Sequence, residues 1–220
     1  MIEVILPACV AAAEAFGDHP EAELTPAERA VIGRAVPSRR REFATVRRCA
    51  RLALAELGLP PAPILPGPAR EPRWPVGVVG SMTHCDGYRA AALARQADLA
   101  SLGIDAEPHQ PLPAGLLPLI ARPEELPMLT ALAADRPGTH WDRLLFSIKE
   151  SIYKAWFPLA GRWLGFEDAT VTLAHRSASF EAVLRQAGPA VAGRPLTQVS
   201  GRWIVRGGLI VTAVAIGRAP

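Results

Sequence analysis

Between Trp141 and Asp168 the apolar positions fall at three- and four-residue steps. Leu145, Ile148, Ile152, Ala155 and Trp156 make one stripe of a helix. Ser147, Glu150, Ser151 and Lys154 recur in the same way on another stripe, so a carboxylate and an ammonium sit one turn apart. Pro158 cannot donate a helical hydrogen bond, and the pattern predicts that the helix ends near Phe157. Alone, the Glu150–Lys154 spacing fits an ordinary surface pair worth ~0.3 kcal/mol.

The chain upstream reads as strands and helices in alternation. Residues 1–8 alternate like a short strand, and residues 9–23 read as a short helix or a loose loop. Thr25-Pro26-Ala27-Glu28 is a helix start, with Thr as cap, Pro at the first position and Glu at the third. That helix is expected to run to about Ala35. A longer one follows from about Ser38 to Leu57, closed by Gly58. Its buried face is Phe43, Val46, Ala50, Ala53, Leu54 and Leu57. The rest is crowded with Arg39, Arg40, Arg41, Arg47, Arg48 and Arg51, either a solvated basic face or a cradle for a polyphosphate.

Seven prolines between Leu59 and Pro75 predict an extended loop. Residues 76–83 and 88–94 read as a hairpin turning at Asp86-Gly87, which puts Thr83 and His84 near its tip. Residues 99–107 are a third strand. Asp105 and Glu107 leave it on the same face, and two such acids repel unless a cation lies between them. Oxygen ligands at that spacing suit Mg²⁺; an exposed strand end is the plainer reading. Residues 108–140 are expected to be loop with a helix around Pro123–Ala134. After the central helix, strands are predicted at 169–174, 179–185, 198–205 and 209–216. Each half then offers one long helix and about three strands. The boundary is drawn near residue 106: 1–106 for the N-terminal half, 107–220 for the C-terminal half.

Composition narrows the function classes. Of the 220 residues half are hydrophobic and a fifth charged, as in globular domains. The net charge of +3 does not argue for nucleic acid as a partner. The bases are nearly all Arg, only Lys149 and Lys154 being lysine, which keeps local phosphate binding open. Cys9, Cys49 and Cys85 show no metal spacing, and an odd count argues against a disulfide scaffold. No long uncharged apolar run predicts a membrane span. A reducing cytoplasm is the expected compartment.

Three segments stand in order: GSMTHCDGY at 80–88, GIDAE at 103–107 and FSIKESIYKA at 146–155. Together they resemble the 4′-phosphopantetheinyl transferases of the surfactin type, in particular the enterobactin-synthase-like branch. RRREFATVRRCARLAL at 39–54 and WLGFEDA at 163–169 look like the actinobacterial members of that branch. The resemblance covers roughly residues 36–170. It implies an α/β (α+β) fold with a pseudo-twofold axis, two similar halves each packing a long helix on a small, mainly antiparallel sheet, and an active site at the seam.

It also implies a reaction. The phosphopantetheine arm of coenzyme A moves to a serine of an apo acyl or peptidyl carrier protein, and adenosine 3′,5′-bisphosphate leaves. Fatty-acid, polyketide, nonribosomal-peptide and siderophore synthesis are the usual settings. By resemblance Asp105, Glu107 and Glu150 hold Mg²⁺, Glu150 is also the candidate general base, and Lys154 contacts the phosphate. Arg39 and Arg47 match the nucleotide-end positions, Thr83 and His84 a phosphate-contacting pair, and Pro66, Gly67, Pro68 and Ala69 a loop cradling adenine. Relatives carry lysines in that loop and this chain carries none, with Arg70 nearby. Ala106 is expected to leave room for a water in the metal shell. A monomer is expected, since two halves replace a subunit interface. Trp156, Phe157, Trp163, Leu164 and Phe166 are expected to be core more than contact. A metal-dependent phosphodiesterase or nuclease would use the same acids but leaves the Arg helix unexplained. A non-catalytic coenzyme A-binding homologue should have lost Asp105, Glu150 or Lys154.

Overall fold

A computed structural model describes residues 1–186 and 188–218. After a 3-10 turn at Ile2–Ile5 come β1 (Ala11–Phe16), α1 (Pro26–Ile32) and α2 (Pro37–Glu56). A small hairpin, β2 (Leu65–Pro66) and β3 (Pro72–Arg73), precedes β4 (Val78–Cys85), β5 (Tyr88–Arg95) and β6 (Leu99–Pro108). Then follow α3 (Leu117–Ile120), α4 (Leu126–Asp135) and the central helix α5 (Trp141–Ala160). The chain ends in β7 (Ala169–Ala174), β8 (Ser179–Leu184), β9 (Ala190–Val191), β10 (Arg194–Pro195), β11 (Gln198–Arg206) and β12 (Leu209–Gly217).

All strand pairs are antiparallel. One sheet has the order β1-β5-β4 and the other β6-β12-β11-β8-β7, so β6 pairs with the last strand of the chain. Side chains alternate across each strand, and both faces are used. On β5, Ala91 and Leu93 meet Cys49, Ala50, Ala53 and Leu54 of α2. Ala90, Ala92 and Ala94 face the other way and join Leu102, Ile104 and Ala106 of β6 with Val211 and Ala213 of β12. On the opposite face of β12, Ile210, Val214 and Ile216 pack with Leu144, Leu145, Ile148 and Ile152 of α5. Each long helix therefore covers its own sheet on the face turned away from a core that the two sheets share.

The joint between sheets is unusual. Among the described residues β4 and β6 share no backbone ladder. Instead the Ile104 N–H donates to Ser81 Oγ (3.1 Å) and the Ala106 N–H donates to Thr83 Oγ1 (3.0 Å). α5 lies close on β6: a Cβ placed on Gly103 would stand 2.0 Å from the Ser151 carbonyl oxygen. Ser101 Oγ donates to the Ala155 carbonyl (2.7 Å) beside it.

Several elements differ from the sequence expectation. Residues 1–8 hold no strand; Ile2 and Ile5, one 3-10 turn apart, both plug the shared core. The first strand is instead the alanine-rich Ala11–Phe16, paired in register with Leu93 back to Tyr88. Alanine favours a helix by itself, and tertiary packing on equally small β5 residues overrides that preference. The Thr25 cap is made as expected, with Thr25 Oγ1 accepting from the Glu28 N–H, but α1 stops at Ile32 rather than Ala35. α5 runs past Phe157 to Ala160 with Pro158 inside it. The missing Pro158 N–H falls in the last turn, where it forfeits one bond. The stop is Gly161, which takes φ 62° and bonds to the Phe157 carbonyl (2.9 Å).

Candidate active site

β6 alternates Ser101, Gly103, Asp105 and Glu107 toward α5, and α5 presents Glu150 and Lys154 toward β6. Lys154 Nζ donates to Asp105 Oδ1 at 2.7 Å. The other Asp105 oxygen, Oδ2, is buried and has no hydrogen-bond partner. Thr83 Oγ1 reaches Asp105 Oδ1 at 3.5 Å. Glu107 is held by Arg143 at 2.8 Å, and Arg143 also donates to the carbonyls of Gln110 and Pro111. Among the described residues nothing hydrogen-bonds to the Glu150 carboxylate.

These acids feel one another. Burial raises the Glu150 carboxyl above the usual range, and the charge of Asp105 raises it further. Burial and Asp105 likewise raise Glu107, against the opposing Arg143. The Cys85 thiol is pushed up to about 12 by burial and by Glu107 and Asp105, so it stays protonated. Among the described residues no three His, Cys, Asp or Glu side chains form a ready metal cluster; Asp105 is paired with Lys154 and Glu107 with Arg143. The donor set still fits a hard cation. It is all carboxylate, it is mutually repelling, and it carries one buried oxygen without a partner.

Next to these acids opens a cleft of about 600 Å³. α2 contributes Arg39, Phe43 and Arg47, the β2–β3 hairpin Pro66, Ala69 and Arg70, β4 His84, and α5 Glu150, Tyr153 and Lys154. Guanidiniums thus line one side and the Glu150–Lys154 turn the other. Five expected residues are not on its walls, Glu107 among them, paired with Arg143. Thr83 is buried, its hydroxyl engaged with Ala106 and Asp105. Asp105 lies behind Lys154. Gly67 and Pro68 shape the hairpin: the Glu71 carboxylate fills the space where a Gly67 Cβ would be, and Glu71 also accepts from the Ala69 N–H. Ala106 points into the shared core, opposite to Asp105 and Glu107 by strand alternation, so its small size does not set the space beside those acids.

The two nucleotide-end arginines differ. Arg47 is buried, stacks 3.1 Å from the Phe43 ring centroid and donates to the Ile64 carbonyl (3.0 Å). Burial pulls its pKa down to about 10, so it remains charged at neutral pH. Arg39 is exposed and bonds to Glu42 and to His84 Nε2 (2.8 Å). His84 Nδ1 lies 2.8 Å from Glu42 Oε1. Burial holds His84 below its usual range, and Glu42 works against that.

Sequence reasoning passed over Glu42, Arg143 and the buried pair Lys149–Glu125. Glu42 stands three residues after Arg39, a readable helical spacing. Arg143 and Glu107 meet only through the fold. Lys149, inside the same helix motif, turns away from the cleft and donates to Glu125 (2.7 Å) and to the carbonyls of Ile120 and Phe166. Among the aromatic and apolar residues after Lys154, Trp156 and Leu164 are core, while Trp163 is 68% exposed and rests on Tyr153 at 4.7 Å.

Comparison with known proteins agrees with this arrangement. Residues 27–94 match the 4′-phosphopantetheinyl transferase N-terminal domain, and residues 101–198 match the 4′-phosphopantetheinyl transferase superfamily. The chain is 53% identical over 219 residues to 4′-phosphopantetheinyl transferase Svp of Streptomyces mobaraensis, covering 98% of this chain and 89% of that protein. It is 48% identical over 229 residues to 4′-phosphopantetheinyl transferase PptT of Mycobacterium tuberculosis, covering 98% of each. Enterobactin synthase component D of Salmonella typhi is more distant, 32% identical over 185 residues, 83% of this chain and 74% of that one. With near-complete coverage at such identity, and with the Asp105–Lys154 seam opening on an arginine-lined cleft, the chain is an enzyme that belongs to the 4′-phosphopantetheinyl transferase superfamily.

Proposed function

We propose that the enzyme moves the phosphopantetheine arm of coenzyme A onto a serine of apo acyl and peptidyl carrier proteins, with Mg²⁺ as its metal and adenosine 3′,5′-bisphosphate as the released product. The observation that carries this reading is the one cleft that joins Arg39, Arg47 and His84 to Glu150 and Lys154. Its size suits a nucleotide with an extended tail, and its charge suits several phosphates.

In this reading the serine oxygen bonds to the phosphorus that carries the pantetheine arm. The bridging P–O bond to the nucleotide breaks, and the electron pair leaves with the bisphosphate. Glu150 takes the serine proton, directly or through water. Its raised proton affinity brings it nearer neutral pH, where a general base works best. Lys154 lets go of Asp105 to donate to the phosphate and balances the departing charge. Asp105, Glu107 and Glu150 would hold Mg²⁺, which supplies charge neutralisation across the pyrophosphate when bound. Arg39, Arg47 and His84 fix the nucleotide end, with Arg70 standing in for the absent lysines. Thr83 acts behind the wall by orienting Asp105.

The same reading takes an acidic carrier helix onto Arg-rich surface, with the loops around 108–130 or 156–166, where Leu119 and Trp163 are exposed, as the apolar docking candidates. It includes a cytoplasmic monomer serving fatty-acid, polyketide, nonribosomal-peptide or siderophore synthesis. No helix among the described residues is long and apolar enough to cross a membrane.

Intact-mass spectrometry of an apo carrier protein incubated with the enzyme, coenzyme A and Mg²⁺ tests it. The expected result is a gain of roughly 340 Da that EDTA prevents. No gain across several carrier classes, with coenzyme A bound, would overturn the transfer reading.

A further inference from the structure

The rim of the cleft carries a charge cluster that the proposed chemistry leaves unexplained. Glu42, on α2, accepts from Arg39 and lies 2.8 Å from His84 Nδ1. Arg39 Nη1 lies 2.8 Å from the other imidazole nitrogen, Nε2. An arginine can only donate and an ionised carboxylate can only accept. Those two constraints fix the imidazole: Nδ1 carries the proton given to Glu42, and Nε2 is bare and accepts from Arg39. At rest His84 is therefore neutral, with its cleft-side lone pair used by a guanidinium. A neutral imidazole with a bare Nε2 cannot donate to a phosphate.

The surrounding charges show what would change this. Arg89 on β5 reaches toward Glu42 (3.9 Å) and is paired with Asp18 (2.8 Å), which also meets Arg41 (3.3 Å). Lys154 of α5 also faces His84 but is matched to Asp105. The cluster of Arg39, Arg41, Arg89, Glu42 and Asp18 thus has one positive charge in excess. A phosphate dianion arriving there would exceed it by one charge, and a proton on His84 would restore the balance.

We infer that Glu42 is a positioning residue which makes His84 a proton-gated phosphate donor: when a substrate phosphate reaches the rim, Arg39 turns from Nε2 to the phosphate, Nε2 takes a proton from solvent, and Glu42 holds the resulting imidazolium through Nδ1–H. This rests on the reading that the cleft takes coenzyme A. It adds a residue, Glu42, and a consequence, proton uptake on binding. At a pH where the phosphate is already a dianion, binding to arginines alone would take up no proton.

Calorimetric titration of the full chain with coenzyme A, in buffers of different ionisation enthalpy, reads that uptake directly. Near pH 8 the wild type is expected to take up about one proton per coenzyme A bound. Glu42→Gln is expected to bind about tenfold more weakly at pH 8, to recover most of that loss near pH 6, and to lose most of the uptake at pH 8. Wild-type binding without proton uptake overturns the proposal. So does a Glu42→Gln loss of equal size at both pH values, which would mark a purely structural role, or no loss at all. If Glu42→Gln fails to fold, His84→Gln decides: uptake that persists there overturns the proposal, and uptake that vanishes supports it. A wild type that binds no coenzyme A would instead refute the reading of the cleft.

Discussion

Glu28 and Glu125 do the same work in the two halves of the chain. Each is the third residue of a short helical start and accepts from the backbone N–H three residues before it, Thr25 N at 2.9 Å and Arg122 N at 2.7 Å. Each accepts from a cation on the long helix that follows, Arg51 at 3.1 Å and Lys149 at 2.7 Å. Each also accepts from a backbone N–H beyond that helix, Ile64 at 2.9 Å and Val171 at 2.7 Å. Both are essentially fully buried. A capping acid has thus become a three-way anchor, twice, in a chain with no visible sequence repeat.

Breaking one anchor should cost more than a surface pair would. Glu125→Ala leaves Lys149 buried against two carbonyls without its counter-charge. The expected loss is about 3–5 kcal/mol in urea unfolding. Glu28→Ala should cost less, because the Arg51 side chain keeps 19% of its surface exposed to water while that of Lys149 keeps 1%. Equal losses at the two sites, or none at Glu125, would contradict the anchor account.

Glu150→Gln should leave the fold and coenzyme A binding intact and lower transfer about 10²–10⁴-fold. Circular dichroism, calorimetry and the carrier mass assay separate those effects. A variant that retains near-full transfer would remove Glu150 from the proton-accepting role.

Gly103→Ala tests the close approach of α5 to β6. The new methyl meets the Ser151 carbonyl and the Ala155 amide, at 2.0 and 2.6 Å from an ideal Cβ, and backbone cannot step aside cheaply. Expected destabilisation is about 3 kcal/mol or more, read as a fall in melting temperature. An unchanged melting temperature would mean that the helix sits further from the strand.

Acid should weaken a different contact. Burial alone would raise the Glu14 carboxyl, but hydrogen bonds from the Met1 amine, the Tyr88 hydroxyl (2.6 Å) and the Ile2 N–H (3.1 Å) hold it below its ordinary range. A carboxyl depressed in the folded state adds stability above its ordinary pKa of 4.5, and that stability is lost as pH falls through the lower folded value. Urea unfolding of the wild type should therefore lose stability from pH 5 down to pH 3 more steeply than Glu14→Gln. Tyr88→Phe should cost about 1–3 kcal/mol at neutral pH.

What the sequence made legible was whatever depends on near neighbours. The period of α5, the Thr25 cap, the Asp86-Gly87 hairpin and the strands β7, β8, β11 and β12 are local patterns, and they appear within a residue or two of expectation, while the two-residue strands β9 and β10 were not foreseen. Asp105 and Glu107 on one strand face and Glu150 and Lys154 on one helix turn were also readable. Only the family resemblance brought those two pairs to one seam, and the 2.7 Å contact between Lys154 and Asp105 is where they meet. The misses share a cause. Ala11–Phe16 is a strand because β5 offers small partners, not because alanine prefers one. Thr83 left the cleft because β4 has no ladder to β6, so its hydroxyl serves the Ala106 amide instead. Arg143 and Glu107 lie 36 positions apart and no local rule links them.

Among the described residues, the hydrogen bonds between the edges of β4 and β6 all run through side-chain hydroxyls: the staples Ser81 to Ile104 and Thr83 to Ala106, and the longer Thr83–Asp105 contact. Both neighbouring sheets are fully laced inside themselves, so this line is a natural parting plane. The machinery straddles it, with Arg39 and His84 on one bank and Glu150 and Lys154 on the other. Turnover is then a sensitive gauge of how well the banks are closed. Mild denaturant should extinguish it while most secondary structure survives.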